Sequence, residues 1–229
     1  MSVYVLGDIH GNFRAIEDWL ERFAKTGDIL IQVGDFGTGF VHDNKIESLA
    51  NKLSEAGCRC LVVQGNHDEP KYFKENVKLN GGALEFLDPT SYRRIANKGF
   101  VFLGGAISVD RWQRIEGRSW WRDETFLLQK DYLAQINNVD YVIAHGCPGY
   151  AKPIVSHKGD IVDYFSEWDK TLVAELEEEG EQFSQAVSLL AQNNQIQKYW
   201  FGHYHVSLNK THNNIEFRCL NIDELDLLF

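Results

Sequence analysis

Short apolar runs punctuate the chain at VYVL (3–6), ILIQV (29–33), CLVVQ (60–64), YVIA (141–144) and YWF (199–201). Runs of this length, rich in β-branched and aromatic residues and closed by glycine or polar residues, predict buried strands. Between the first three the spacing becomes helical. Phe13, Ile16, Leu20 and Phe23 share one helix face, with Asn12 placed as the N-cap and Gly27 as the stop, and Ile46, Leu49, Leu53 and Ala56 repeat the pattern up to Gly57. Strand and helix alternate here, which predicts a parallel sheet, because parallel neighbours are joined through a crossover. The middle changes character. Tyr92 to Ala96 and Phe100 to Ile107, about the turn Asn97-Lys98-Gly99, predict a β-hairpin that starts a second sheet. A helix is expected over 123–136, a loop-rich stretch with Pro148, Gly149, Pro153 and Gly159 over 146–170, and two helices over 171–179 and 182–193. A last hairpin turns at Asn213-Asn214 before the strand IEFRCL. Periodicity alone therefore gives an α/β chain with a mixed second half.

With 229 residues and 44% hydrophobic content, the chain can bury one sizeable core, and no linker divides it, so a single domain over 1–229 is expected. The first strand begins within two residues of Met1, no signal-peptide pattern precedes it, and no apolar run approaches the ~20 residues of a membrane span. A cytoplasmic protein without membrane attachment is expected. The net charge of −10 opposes general affinity for duplex nucleic acid, where Lys and Arg must neutralise phosphate. The run from Glu175 to Glu181 reads as a solvated helix face. Cys58, Cys60, Cys147 and Cys219 lack zinc-site spacing and read as reduced structural thiols, although Cys147 stands two residues from His145 and a reactive thiol there is the other reading.

Candidate chemistry sits directly behind the apolar runs: Asp8 and His10 in GDIHGN, Asp35 in VGDFG, Asn66 and His67 in GNHDE, His145 in AHGCP, and His203 and His205 in GHYH. If these strands end at one rim, ligands remote in sequence meet there, as sites of open α/β sheets generally do. Imidazole and carboxylate suit borderline divalent ions, and the lack of thiolates argues against a structural zinc finger or iron–sulfur site. Even without His67, the seven remaining candidates exceed the set of one tetrahedral ion. A carboxylate bridging two ions about 3.5–4 Å apart is the usual solution, suited to in-line displacement at phosphorus.

The ordered series DIH, GD, GNHD, H and GHYH, spanning Asp8 to His205, resembles the calcineurin-like metallophosphoesterases. The resemblance implies a four-layer αββα sandwich of two mixed sheets flanked by helices. It also implies one metal on Asp8, His10, Asp35 and His205 and a second on Asp35, Asn66, His145 and His203, with Asp35 bridging. The expected ions are two divalent metals, manganese first, with iron, zinc, nickel or cobalt also suited. A hydroxide between them would attack phosphate mono- or diesters in line, and His67, off the metals, would stabilise the phosphoryl oxygens or protonate the departing alkoxide. The protein serine/threonine phosphatase branch carries GDxxDRG and RGNHE, where this chain has GDFGTGF and QGNHDE, so its phosphate-gripping arginines are missing. The expected substrate is a phosphorylated small molecule or nucleotide. A phosphoprotein or nucleotide phosphatase with the same metal core, and a non-catalytic scaffold, are the competing readings. The oligomeric state is not addressed by the sequence.

One segment lies outside these motifs. Ser108 to Glu124, SVDRWQRIEGRSWWRDE, concentrates four arginines and three tryptophans. Hanging over the metals, it would replace the missing clamp, with Arg111 as the phosphate contact beside Asn66 and His67, and its tryptophans would stack a base. The alternative is structural, with tryptophans plugging a sheet edge and arginines paired to Asp110, Glu116, Asp123 and Glu124. His157 is a weaker substrate candidate.

Overall fold

The structure, a computed structural model, describes residues 1–154 and 158–229. The elements, in chain order, are β1 (Val3–Leu6), α1 (Arg14–Arg22), β2 (Ile29–Gln32), α2 (Asp43–Glu55), β3 (Arg59–Val62), α3 (Pro70–Lys74), β4 (Lys78–Leu79), β5 (Leu84–Phe86), β6 (Thr90–Ile95) and β7 (Lys98–Leu103). There follow α4 (Lys130–Leu133), β8 (Tyr141–Ala144), α5 (Lys158–Ser166), α6 (Leu172–Ala191), β9 (Lys198–Phe201), β10 (Leu208–His212), β11 (Ile215–Cys219) and β12 (Leu225–Leu227). The strands form two six-stranded sheets, ordered β12-β1-β2-β3-β5-β4 and β10-β11-β9-β8-β7-β6. In each, four parallel strands lie between antiparallel edge strands.

The alternation of side chains along a strand sorts the apolar runs into three cores. Val3 and Val5, Ile29 and Ile31, Leu61, Phe100 and Phe102, Ile143 and Trp200 point between the sheets. Leu6, Leu30, Cys60 and Val62 point the other way, under Ile16 and Trp19 of α1 and Ile46, Leu49 and Leu53 of α2. Val101, Leu103, Val142, Tyr199 and Phe201 meet Leu133 of α4 and Phe183, Ala186 and Leu190 of α6. β11 alternates buried and half-buried residues, but the central strands β1, β2, β3, β7, β8 and β9 are buried on both faces along most of their length. That is why these segments read as continuous apolar runs, and the result is the αββα sandwich expected from the motifs.

Several local expectations change. The helix expected over 123–136 shrinks to α4, because Ala106 N–H binds the carbonyl of Glu124 and Phe126 stacks on Phe183 at 4.2 Å between ring centroids. The two helices expected over 171–193 are one, α6, which runs through Gly180. The bare Cα of Gly180 lets the helix lie against the turn at Gly149, whose backbone an added Cβ would approach at 3.3 Å. The loop-rich stretch 146–170 carries α5. Asn12 caps no helix. Its amide donates to Asp223, and α1 starts two residues later. The middle hairpin turns on Ala96 and Asn97, both left-handed, one residue earlier than expected, while the last turns on Asn213 and Asn214 as expected.

Glu179, on the buried face of α6, is the exception in an apolar layer. Burial drives its carboxyl up to about 8, against the charge of His145 and the backbone N–H groups of Ile107 and Phe126, which pull it down. Unfolded, the group titrates near 4.5. Between those values the folded chain keeps a proton that the unfolded chain has released, so stability falls as pH rises through the window. Glu179→Gln removes that loss. The variant should melt with the native protein at about pH 5 and above it at about pH 8–9, measured by calorimetry across the range. A parallel pair of curves would show that Glu179 is not protonated in the fold.

Candidate metal centre

The parallel strands of both sheets deliver their C-terminal ends to one rim. Asp8 follows β1, Asp35 follows β2, Asn66 follows β3, His145 directly follows β8, and His203 and His205 follow β9. There the seven predicted ligands come together. One donor atom from each of Asp8, His10, Asp35 and His205 lies within 4.8 Å of the others. On the far side of Asp35, His145 Nε2 is 3.2 Å from its Oδ1 and 3.0 Å from Asn66 Oδ1, and His203 Nδ1 lies 2.9 Å from that same amide oxygen.

The donor chemistry fits a pair of cations sharing Asp35. Imidazole nitrogens meet each other tip to tip, with His10 Nε2 3.0 Å from His205 Nε2, and His205 Nε2 sits 3.1 Å from Asp8 Oδ2. His145 Nδ1–H donates to the carbonyl of Val33, which aims the other ring nitrogen inward, the orientation that metal-ligating histidines adopt. Asp8 and Asp35 are 0% and 1% exposed. Burial pushes the Asp35 carboxyl up, but the charge and hydrogen bond of His145, helped by His67 and His10, hold it well below the usual carboxylate range.

The backbone around these groups is strained. His10, Asp35, His203 and His205 all have left-handed φ, between 44° and 65°. Such conformations cost of order 1–3 kcal/mol each, and Asp and His tolerate them better than most residues. The glycines before the ligands serve close approach. A Cβ on Gly202 would stand 1.9 Å from Asp8 Oδ1, and one on Gly34 would stand 2.3 Å from the ring of His145.

Sequence reasoning missed Asp68, which holds two ligand loops together. Its buried carboxylate accepts the N–H groups of Phe36, Gly37 and Thr38 at 3.1, 2.7 and 3.0 Å and that of Gly65 at 2.9 Å, so the Asp35 and Asn66 loops share one acceptor. Burial and the neighbouring Asp35 raise it to about 7, while those N–H groups pull it down. The signal was present as the fourth residue of GNHD, but only the loop packing gives it a partner.

The segment 108–124 does reach the site, by a different arginine from the one expected. Arg111 faces away, with Nε 2.6 Å from Asp169 Oδ2, Nη1 2.5 Å from Glu175 Oε2 and Nη2 3.0 Å from Thr171 Oγ1. Arg114 is the guanidinium laid on His67, its Nη1 2.9 Å from Nδ1 and its Nη2 3.2 Å from Nε2, and Asp110 grips it from behind at 2.6 and 2.8 Å. His67 stands at the cluster but makes no contact of ligand type with the carboxylates through its ring. Its backbone N–H donates to Asp35 Oδ1 at 2.8 Å. Burial lowers its pKa, Asp35 opposes that, and Arg114 adds to it. The tryptophans have ring partners within the protein: Trp112 stacks on Trp168 at 5.0 Å, and Trp121 meets Phe40 edge-on at 5.7 Å. His157 lies outside the described residues. All four cysteines are buried, and burial pushes the Cys147 thiol far up, so it stays protonated.

A family model described as calcineurin-like phosphoesterase matches residues 1–207. Among solved structures, the fold is similar to that of a dimetal phosphatase from Danio rerio, with 11% identity, a TM-score of 0.56, and coverage of 97% of this chain and 88% of that one. It is also similar to a putative 5'-nucleotidase from Staphylococcus aureus in complex with alpha-ketoglutarate, with 13% identity and a TM-score of 0.51 over 97% of this chain and 48% of that one. At these identities the likeness is one of fold. No curated protein matches the sequence.

Asp68→Ala leaves four backbone N–H groups without their acceptor. Stability should drop by about 2–4 kcal/mol in denaturant titration, and divalent-metal affinity should fall as well although no ligand is touched. Unchanged metal affinity in a folded variant would show that the two loops hold their ligands without the shared carboxylate.

Proposed function

Because the chain belongs to the calcineurin-like phosphoesterase family and is a metal-dependent hydrolase of phosphoesters, we propose that it cleaves phosphate mono- or diesters of small molecules by in-line displacement at a dinuclear centre. The observation that carries the reading is the position of Asp35, within the Asp8–His10–His205 group on one side and against His145 on the other. Asp8, His10, Asp35 and His205 would hold one divalent ion, and Asp35, Asn66, His145 and His203 the second. When bound, the two ions supply water activation and neutralise phosphoryl charge.

The chain's own residues supply the rest. His67 projects into the cavity above the ligands, where one ring N–H can donate to a phosphoryl oxygen. Burial keeps the imidazole neutral at rest, and the charge of an arriving phosphate favours the protonated form that can pass a proton to the departing oxygen. We assign the guanidinium of the phosphate contact to Arg114 rather than to Arg111, since Arg114 touches His67 and Arg111 is saturated by Asp169, Glu175 and Thr171. Asp110 holds Arg114 in that place and lowers the free positive charge it can offer. Among the described residues, no helix is long and apolar enough to cross a membrane.

Elemental analysis after loading with manganese should find two ions per chain, and Asp35→Asn should lower both together, because a shared ligand acts on each site. One ion lost with the other intact would remove Asp35 from the bridging position. His67→Ala should keep the metal content and lose about 10²–10⁴ in rate on esters with poor leaving groups, and less on activated aryl esters, which need little protonation. Loss of metal along with rate would make His67 a ligand.

A further inference from the structure

A cavity of about 520 Å³ opens from the metal cluster, with Asp35, Asn66, His67, His203 and His205 at its floor. Its size falls in the range of pockets that enclose a small organic ligand, roughly 300–1,000 Å³. Above the floor the walls turn apolar: Val109 from the arginine-rich segment, Ile154, Val162 of α5, Leu176 of α6, and Tyr204. Asp110, Lys152 and Asp163 supply the polar part of the lining. Two of the stretches that supply these walls are clasped to each other. Arg111 reaches from the 108–124 segment to Asp169, Thr171 and Glu175, and Trp112 stacks on Trp168. Arg111 and Trp112 thus hold Val109 opposite Leu176 without touching the floor themselves.

A phosphoester brings two unlike parts to such a site. The phosphoryl group belongs on the floor, beside the ligands and His67. The departing group projects from the floor into the cavity, whose lining there is largely hydrocarbon. A phosphopeptide would set backbone N–H and C=O groups against Val109, Val162 and Leu176, which cannot pair them. A nucleoside polyphosphate would carry further negative charge past a wall that is mostly hydrocarbon, beside Asp163 and with Lys152 as the lysine of the described lining.

Resting on the phosphoesterase reading above, we propose that this site selects phosphoesters whose leaving group is an uncharged, apolar aryl or alkyl group of bicyclic size or larger, seated between Val109, Val162 and Leu176. The chemistry balances as hydrolysis. The oxygen of water forms the new bond to phosphorus, the bond from phosphorus to the ester oxygen breaks, and that oxygen leaves with a proton as the free alcohol or phenol.

The test compares phenyl phosphate with 2-naphthyl phosphate, whose leaving groups are of similar acidity, on the metal-loaded full chain. Binding of phenylphosphonate and 2-naphthylphosphonate, which cannot be hydrolysed, is measured by calorimetry. The naphthyl compound should be preferred about tenfold or more in kcat/KM and in Kd, as expected for filling an apolar pocket. Leu176→Gln should shrink that preference at least about threefold, and Val109→Thr, close to isosteric, should do so if the helix variant fails to fold. Turnover of both esters without a size preference, a preference intact in both variants, or a phosphopeptide or nucleoside triphosphate preferred to the naphthyl ester would overturn the inference and leave the phosphoesterase reading standing. No turnover or binding of any ester by metal-loaded protein would sink that reading, and this inference with it.

Discussion

Asp8 and Asp35 bring two carboxylates into a place that solvent does not reach, at the junction of two sheets. Charge there is tolerable only where opposite charge or hydrogen-bond donors face it. Much of the local structure answers that demand. The backbone N–H of His203 donates to Asp8 and that of His67 to Asp35, four imidazoles converge on the pair, and Asp68 gathers the N–H groups of both adjoining loops. His10, Asp35, His203 and His205, which crowd around this centre, all adopt left-handed backbone, a conformation that Asp and His tolerate better than most residues. A centre of this kind attracts divalent cations because it is short of positive charge before any substrate arrives.

Beyond the metal cluster, one segment divides its arginines between two sets of partners. Arg111 and Arg114 are three residues apart and face opposite ways, one toward α5 and α6 and one toward His67. The carboxylate partners decide the division. Asp169 and Glu175 hold Arg111 at a distance from the site, while Asp110 turns Arg114 inward. The result is a wall beside the metal cluster with hydrocarbon on its inner surface. Clasping by ion pairs that are partly shielded from water keeps that wall in place more firmly than exposed pairs would.

How legible each feature was in the sequence depends on how local its cause is. The strands β1, β2, β3, β8 and β9 were legible because burial on both faces leaves a continuous apolar run, while β5, three residues long with Glu85 at its centre, was not. The clustering of the candidate donors was legible because each stands within a few residues of a strand end. The helix expected over 123–136 failed because Glu124 and Phe126 are claimed by Gly105–Ala106 and by Phe183, which lie far along the chain. The break expected near 180 failed because Gly180 is there for contact with Gly149, a reason no helix propensity can register.

The sequence by itself determined most of the central strands, the first two crossover helices, the seven candidate donors and their membership in one motif series, since period, composition and short-range order specify these without knowledge of neighbours. Only the tertiary structure decided which atoms meet. The joining of two sheets at one rim placed Asp35 between two donor groups, and loop packing gave Asp68 its N–H partners. Asp169 and Glu175 drew Arg111 away and left Arg114 against His67. Ion pairs and shared acceptors between residues tens of positions apart depend on distance in space, which no local pattern along the chain records.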